Sequence, residues 1–309
     1  ALMRVSAALL FGLAAAAGAQ ELTARRVDAA PSVDGSDRDA AWRDAPVASA
    51  FMVFRPTEGA TPSHRTEVRA VYDDKTLYVL VRAFDPHPDS IVGLLSRRDN
   101  FGPPSDLIQL YIDSYHDGRT GFEYIVNPAG VKSDFLLFDD DRFDLSWDGI
   151  WDAGVAVDSL GWVAEFAIPF SQLRFRGGKG RESTFGIMVW RTVGRLGERS
   201  SWPTYRPTLP GPVSQFTKLN GLTDLPSGLR VETTPYLLAK ARNAPTLSGG
   251  SENRATVSAG ADFKIGPRPN VTIEGTLNPD FGQVESDPAV LNLTSVETFL
   301  PERRPFFLE

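Results

Sequence analysis

The stretch Thr66–Ala83 reads TEVRAVYDDKTLYVLVRA, and its reading decides the fold. Val68, Ala70 and Tyr72 alternate with Glu67, Arg69 and Val71. Asp73-Asp74-Lys75 then supplies a turn, and Leu77, Val79, Val81 and Ala83 alternate with Tyr78, Leu80 and Arg82. A period of two on both sides of a polar turn predicts a β-hairpin. Working outward, Leu107–Asp113 has Ile108, Leu110 and Ile112 on one face, and Phe122, Tyr124 and Val126 continue the pattern up to the turn 127–130. Val155–Val157 and Gly161–Ile168 form a further pair around Asp158-Ser159-Leu160, and Phe185–Arg191 is another strand. Many short strands at this spacing predict an all-β chain built on an antiparallel β-sandwich. Short helical turns are expected only at 38–43, capped by Asp37 with Trp42 inward, and at 171–173. Glu165, between Ala164 and Phe166, reads as a solvent-facing alternate.

The 309 residues suggest about two domains, and 42% hydrophobic residues suffice for a sizeable core. Lys plus Arg total 32 against 39 Asp plus Glu, so a nucleic-acid partner is not expected. With no Cys, disulfides, thiol catalysis and Cys-ligated metal are excluded. At the N-terminus, Met3-Arg4, the apolar run 5–16 and Ala17-Gly18-Ala19 read as a signal peptide over residues 1–19. Twelve apolar residues fall short of the roughly 20 that span a bilayer. The expected location is therefore outside the cytoplasm: periplasm, cell surface or outer membrane.

Residues 196–228 are Pro-rich and read as loop, with a domain boundary near 225. Beyond it, Val257, Ala259, Ala261, Phe263 and Ile265 alternate strictly with Ser258, Gly260, Asp262 and Lys264. Val271, Ile273, Gly275 and Leu277 repeat the pattern after a turn, and Leu229–Ala239 shows it more weakly. Such hairpins suit an outer-membrane β-barrel, and they suit a soluble antiparallel sheet equally well. A closed barrel needs at least about eight strands, so the expectation is the start of a truncated one.

Val33-Asp34-Gly35 with Asp39 and Trp42, Tyr72-Asp73-Asp74 with Leu77-Tyr78, and Asp106–Asp113 resemble, in that order, the family 9 carbohydrate-binding modules. The resemblance covers roughly residues 28–220. Asn278-Pro279-Asp280-Phe281-Gly282-Gln283 with Glu285, and Phe299–Phe307 (FLPERRPFF), resemble the domain of unknown function 5916. Together they imply a family-9-like jelly-roll sandwich at 28–225 followed by the start of an outer-membrane region at 226–309. The implied function is glycan recognition, in carbohydrate uptake or catabolism.

The stretch 134–152 carries seven Asp against one basic residue, Arg142, with Phe135, Phe138, Phe143, Trp147 and Trp151 between them. Carboxylate oxygens suit calcium, and flat rings suit the apolar faces of sugars. The alternative is a solvated acidic loop anchored by its aromatics. Candidate ligand-binding residues are Phe101, Asn127, Trp147, Asp148, Trp151 and Trp202. Candidate calcium ligands are Asp113 and Asp117, in a turn with Gly118, and Asp139 and Asp141. In the family that the chain resembles, two aromatics sandwich the sugar. Pro103 stands at the place of one, with Phe101 nearby, and no Trp follows Ser201-Trp202-Pro203 before residue 220.

Other chemistries find less support. No motif names an acid and a nucleophile, so hydrolysis of O-glycosyl bonds stands as an alternative without assigned residues. His64, His87, His116, Met52 and Met188 are the available haem ligands, without a C-x-x-C-H. A sandwich without a ligand, attached to a barrel, is the third reading.

Overall fold

The computed structural model describes residues 21–100, 105–145, 147–226, 230–245, 251–268 and 271–278. The signal-peptide reading and Phe299–Phe307 lie outside them. In chain order the strands are β1 (Leu22–Thr23), β2 (Arg25–Arg26), β3 (Met52–Arg55), β4 (Thr66–Tyr72), β5 (Thr76–Phe84), β6 (Leu107–Asp113), β7 (Gly121–Val126), β8 (Lys132–Phe138) and β9 (Arg142–Asp144). They continue as β10 (Asp152–Asp158), β11 (Gly161–Pro169), β12 (Glu182–Val193), β13 (Glu198–Trp202), β14 (Thr217–Thr223), β15 (Arg230–Pro245), β16 (Ser251–Arg268) and β17 (Val271–Leu277).

A nine-stranded sheet runs β1-β14-β12-β6-β7-β8-β9, with β13 and β3 continuing from β12. It packs on a five-stranded sheet, β10-β11-β5-β4-β2. All the longer pairings are antiparallel, and short parallel pairs, β1 with β14 and β2 with β4, close two edges. Between the sheets lie Val68, Ala70, Val79, Val81, Ile108, Leu110, Tyr124, Trp162, Phe166, Ile187 and Val189. These are the alternate positions that the period-two pattern assigns to one face. The segment read as loop, 196–228, contains β13 and β14, whose Trp202, Leu219 and Leu222 join this core. Their strand pattern is too short to stand out among the prolines.

The outer face of the five-stranded sheet is also apolar: Val71, Tyr78, Leu80, Val163 and Ala167 are buried there. Residues 27–45 cover it as a strap, with Trp42, Ala45, Val27 and Val33 packed down. The strap is pinned by Glu165. Its Oε2 accepts the backbone N–H groups of Asp34 (3.0 Å), Gly35 (2.7 Å) and Ser36 (3.3 Å), and its Oε1 accepts the Trp42 indole N–H (2.8 Å). Glu165 is therefore buried and not solvent-facing: its alternate position faces the strap instead of water. Gly35 passes the sheet at φ +81°, where an added Cβ would stand 2.3 Å from the Val155 carbonyl carbon. The Val-Asp-Gly…Trp motif is thus a clasp for the fold. Among the described residues the single α-helical turn is Ala40–Arg43, and Asp37, expected as its cap, binds Arg82 at 2.7 Å.

The third sheet, β15-β16-β17, is antiparallel and open in the described residues. By register, Val231, Leu237, Ala239 and Ala241 share a face with Ala255, Val257, Ala259, Phe263, Ile265 and Ile273. Thr234, Lys240, Thr256, Ser258, Asp262, Lys264 and Glu274 share the other.

Candidate functional site

The acidic–aromatic stretch organises around one arginine from elsewhere. Asp134, on β8, is buried. Its carboxylate accepts the Gly149 backbone N–H and the Arg98 guanidinium. Arg98 also reaches Asp148 at 2.7 Å and the Gly149 carbonyl at 2.9 Å. Burial pushes the Asp134 carboxyl above its usual range, against the pull of Gly149 and Arg98. Trp151 is 5% exposed, stacked on Phe166 at 5.8 Å and covered by Lys132. It is a core side chain and has no face left for a sugar. Trp147 is half-buried against Phe122 (5.0 Å) and Tyr124 (5.9 Å). With Asp148 it borders a cavity of about 250 Å³. Of the stretch, only this pair stays accessible among the predicted ligand residues.

The other predicted residues are employed in the fold. Asn127 is buried: its amide donates to the Leu94 carbonyl (2.7 Å), and its Oδ1 accepts the N–H groups of Ala129 and Val131, both at 3.0 Å. It therefore builds its own turn and holds the segment around Leu94. Trp202 is 1% exposed inside the main core, so it stacks on protein and not on ligand. Phe101 lies outside the described residues, although Asn100 and Ser105 on either side line a cavity described below.

The calcium candidates are likewise spoken for. Asp113 is buried, and its two oxygens accept the N–H groups of His116 (2.7 Å) and Gly118 (2.9 Å). Asp117 accepts those of Arg119 and Thr120, both at 2.8 Å. Asp139 pairs with Arg119 at 2.9 Å, and Asp141 brings no further ligand to it. Among the described residues no three acidic or His side chains converge as a cation site. A carboxylate that caps a turn has spent its lone pairs on backbone N–H groups and has few left for a metal.

The structure assembles a different constellation on the outer face of the nine-stranded sheet. Gln109 (β6) donates to Glu123 Oε1 (2.7 Å) and to the Tyr111 hydroxyl (3.1 Å). Arg199 (β13) donates to Gln109 Oε1 (3.0 Å) and lies over the rings of Trp190 (5.2 Å) and Phe54 (5.4 Å). Phe54, Trp190 and Tyr205 pack on one another with centroids 4.7–5.2 Å apart, and Tyr111 joins Trp190 at 5.0 Å. Burial raises the Glu123 carboxyl above its ordinary value, opposed by the bonds from Gln109 and Tyr111. Burial also lowers the Arg199 guanidinium. Arg199 Nε is buried without a hydrogen-bond partner.

Along the same face, Leu107, Ile125 and Ser133 continue into a cavity of about 180 Å³ beneath Leu94, Leu95 and Asn100. Sequence reasoning missed this group. Gln109 and Glu123 look like ordinary solvent-facing alternates, and only the β6–β7 and β12–β13 register brings them to Arg199. The available signal was a glutamine and a glutamate inside otherwise apolar strands.

The model of the carbohydrate family 9 binding domain-like family matches residues 33–202, and that of the domain of unknown function 5916 matches residues 227–309. No curated protein matches the chain. Among solved structures, a protein of Bacteroides uniformis ATCC 8492 described as a putative carbohydrate-binding protein superposes with TM-score 0.51 at 13% identity, over 65% of this chain and 98% of its own. A family 9 carbohydrate-binding module of Caldicellulosiruptor kristjanssonii in complex with glucose gives TM-score 0.46 at 16% identity, over 65% of this chain and 95% of its own. The same module in complex with cellotriose gives TM-score 0.46 at 16% identity, over 67% and 95%. With more than half of its length matched, and in a two-sheet fold that the Bacteroides structure shares, this chain belongs to the carbohydrate family 9 binding domain-like family.

Proposed function

We propose that the sandwich recognises a saccharide on the outer face of its nine-stranded sheet, at Gln109, Glu123 and Arg199 beside the Phe54–Trp190–Tyr205 cluster. One observation carries the reading: the half-buried Arg199, held by cation–π contact over Phe54 and Trp190, keeps its buried Nε donor unused on the face that carries Gln109 and Glu123. Saccharides are bound by fixed planar polar groups that address neighbouring hydroxyls and by aromatic walls that meet apolar ring faces. Membership of a family named for carbohydrate binding supports the same reading.

The test is calorimetric titration of the full chain with neutral oligosaccharides, cellotriose among them. Arg199→Gln and Gln109→Ala are expected to weaken binding at least tenfold, while Trp202→Phe, inside the core, leaves it within twofold. Equal affinities across the Arg199 and Gln109 variants would remove the site. Release of reducing sugar from the oligosaccharide would replace recognition by O-glycosyl hydrolysis.

The β15–β17 sheet supports an outer-membrane reading for the C-terminal part. Its apolar face, interrupted by Thr233, covers residues 231–241 and 255–265, eleven on each long strand. That matches the roughly 9–11 residues with which a tilted strand crosses a bilayer. Val231, Leu237, Val257 and Ile273 are all more than half exposed on this face. In this reading the N-terminal signal exports the chain, and the sandwich presents a glycan at the outer membrane for uptake or catabolism.

A further inference from the structure

At the end of the sandwich formed by the turn after β6 and the β11–β12 connection lies a cavity of about 530 Å³, whose lining includes Ser114, Asp117, Phe175, Arg176, Arg181 and Glu182. We propose that it is a second binding site, separate from the outer-face cluster, for an acidic saccharide: a glycan unit carrying a carboxylate or sulfate.

Three observations carry this. First, charge: the chain is net negative at −7, yet residues 174–181, RFRGGKGR, hold four basic residues and no acidic one. Arg176 and Arg181 from this segment line the cavity and have no acidic partner among the described residues. Elsewhere Arg82, Arg98 and Arg195 are each held by carboxylates. A free guanidinium offers a two-pronged donor matched to a carboxylate or sulfate.

Second, the walls are pre-formed. The Asp113–Thr120 turn is locked by its own carboxylates, and Ser114 Oγ donates to the Arg174 carbonyl (2.8 Å). Opposite, Gly178 N–H reaches the Leu225 carbonyl (3.0 Å), Gly180 N–H reaches Asp224 (2.6 Å), and Ser183 Oγ reaches the Arg176 carbonyl (3.4 Å). Ligand binding therefore orders little chain, which lowers its entropic cost.

Third, the lining is mixed in a way that selects against a bare anion. Asp117 is turned into its own loop, accepting from Arg119, Thr120 N–H and Thr120 Oγ1. Glu182 remains beside the arginines, where it repels a small anion and accepts from hydroxyl groups. Phe175, set by Phe170 (5.6 Å) and Phe185 (5.4 Å), adds an apolar wall. One acid group, several hydroxyls and an apolar ring face together describe an acidic sugar.

The experiment titrates the full chain with a uronic-acid trisaccharide, a sulfated trisaccharide, cellotriose and sodium acetate. Tighter binding of either acidic trisaccharide than of cellotriose or acetate is expected, with a doubly substituted R176Q/R181Q chain losing about tenfold. Which acidic trisaccharide wins identifies the acid group. Raising salt from about 0.05 to 0.5 M weakens it severalfold, since exposed charges are screened. Both arginines are exposed, so thermal unfolding of the double variant stays unchanged and shows that the fold is intact. R199Q leaves this binding within twofold, so failure here and failure of the outer-face site read out separately. Binding unchanged in R176Q/R181Q, or acetate binding as tightly as the trisaccharides, overturns the proposal.

Discussion

β4 and β16 carry the same alternating pattern and meet opposite fates. On β4, Val68, Ala70 and Tyr72 are sealed between two sheets, and even the alternate Val71 is buried under the strap. On β16, Val257 is 70% exposed, and its neighbour across the ladder's apolar face, Leu237 on β15, is 74% exposed. A period of two establishes a strand and a two-faced ribbon; it says nothing of what covers each face. In the sandwich the cover is protein, layer upon layer. In the C-terminal sheet the described residues provide none, and the proposed cover is lipid.

The comparison breaks first at Glu165. Removing its carboxylate, Glu165→Ala, leaves the indole N–H of Trp42 and three backbone N–H groups without their acceptor beneath the strap. A loss of about 3 kcal/mol or more is expected. At about 2–4 °C per kcal/mol for a domain of this size, the unfolding midpoint falls by roughly 10 °C. A midpoint within a degree or two of the parent would show that the strap is decoration and the second layer idle.

Next is the apolar face of the third sheet. Val257→Lys places a charge in its middle. If lipid covers that face, insertion into bilayers weakens by about 2–4 kcal/mol, measurable by folding into vesicles, while unfolding of the sandwich is unmoved. If the substitution changes nothing in vesicles, the face is not lipid-covered.

Trp147→Ala sharpens the boundary between the two regions. The ring touches Phe122 and Tyr124 and also borders a cavity. Two aromatic contacts of about 0.5–1.5 kcal/mol each predict a stability loss near 2 kcal/mol. Saccharide affinity should stay within twofold, because the outer-face group does not include Trp147. A large affinity loss with little destabilisation would return the ligand site to the acidic–aromatic stretch.

The smallest effect is the pH response. Burial raises the carboxyls of Glu123, Asp134 and Glu165 above their ordinary values of 4.5, 3.8 and 4.5. A raised folded-state value means that folding favours the protonated form. The stabilisation is complete below the ordinary values and is lost as pH climbs through the raised ones. Asp85 and Asp158 act oppositely: burial pushes them up, but Arg195 and Arg82 overcome it and hold them below 3.8. Their contribution disappears as pH drops beneath that value. Stability should therefore increase as pH is lowered from 7 toward the ordinary carboxylate values of 4.5 and 3.8, then fall below 3.8 as Asp85 and Asp158 are protonated. Thermal unfolding across pH 3–8 checks it; a monotonic rise toward pH 8 contradicts the burial of these carboxyls.

Much of the fold was legible because alternation is a local property. The hairpin Thr66–Ala83, the strand Leu107–Asp113 and the long C-terminal ribbon all appear where their periodicity placed them. The strap motif was legible too, though its purpose was not. Gly35 and Trp42 acquire a reason only when Glu165 arrives from 123 or more residues away. The candidate site was largely illegible for the same reason. Aromatic and acidic density drew attention to 134–152, where density turned out to mean a core anchored by Trp151 and an arginine shared among carboxylates. Gln109, Glu123 and Arg199 stand far apart in the chain and are unremarkable one by one.

The sequence by itself determined that this is an all-β chain, where most of its strands lie, and that its two regions differ in texture, because side-chain alternation and turn chemistry act over a few residues. Tertiary structure alone decided which alternates face protein, which carboxylates are spent on backbone N–H groups, and which polar groups meet on one sheet face. Those outcomes depend on strand register and on layers brought in from distant segments, and burial, which sets both the energy and the chemistry of each group, exists only once the layers are in place.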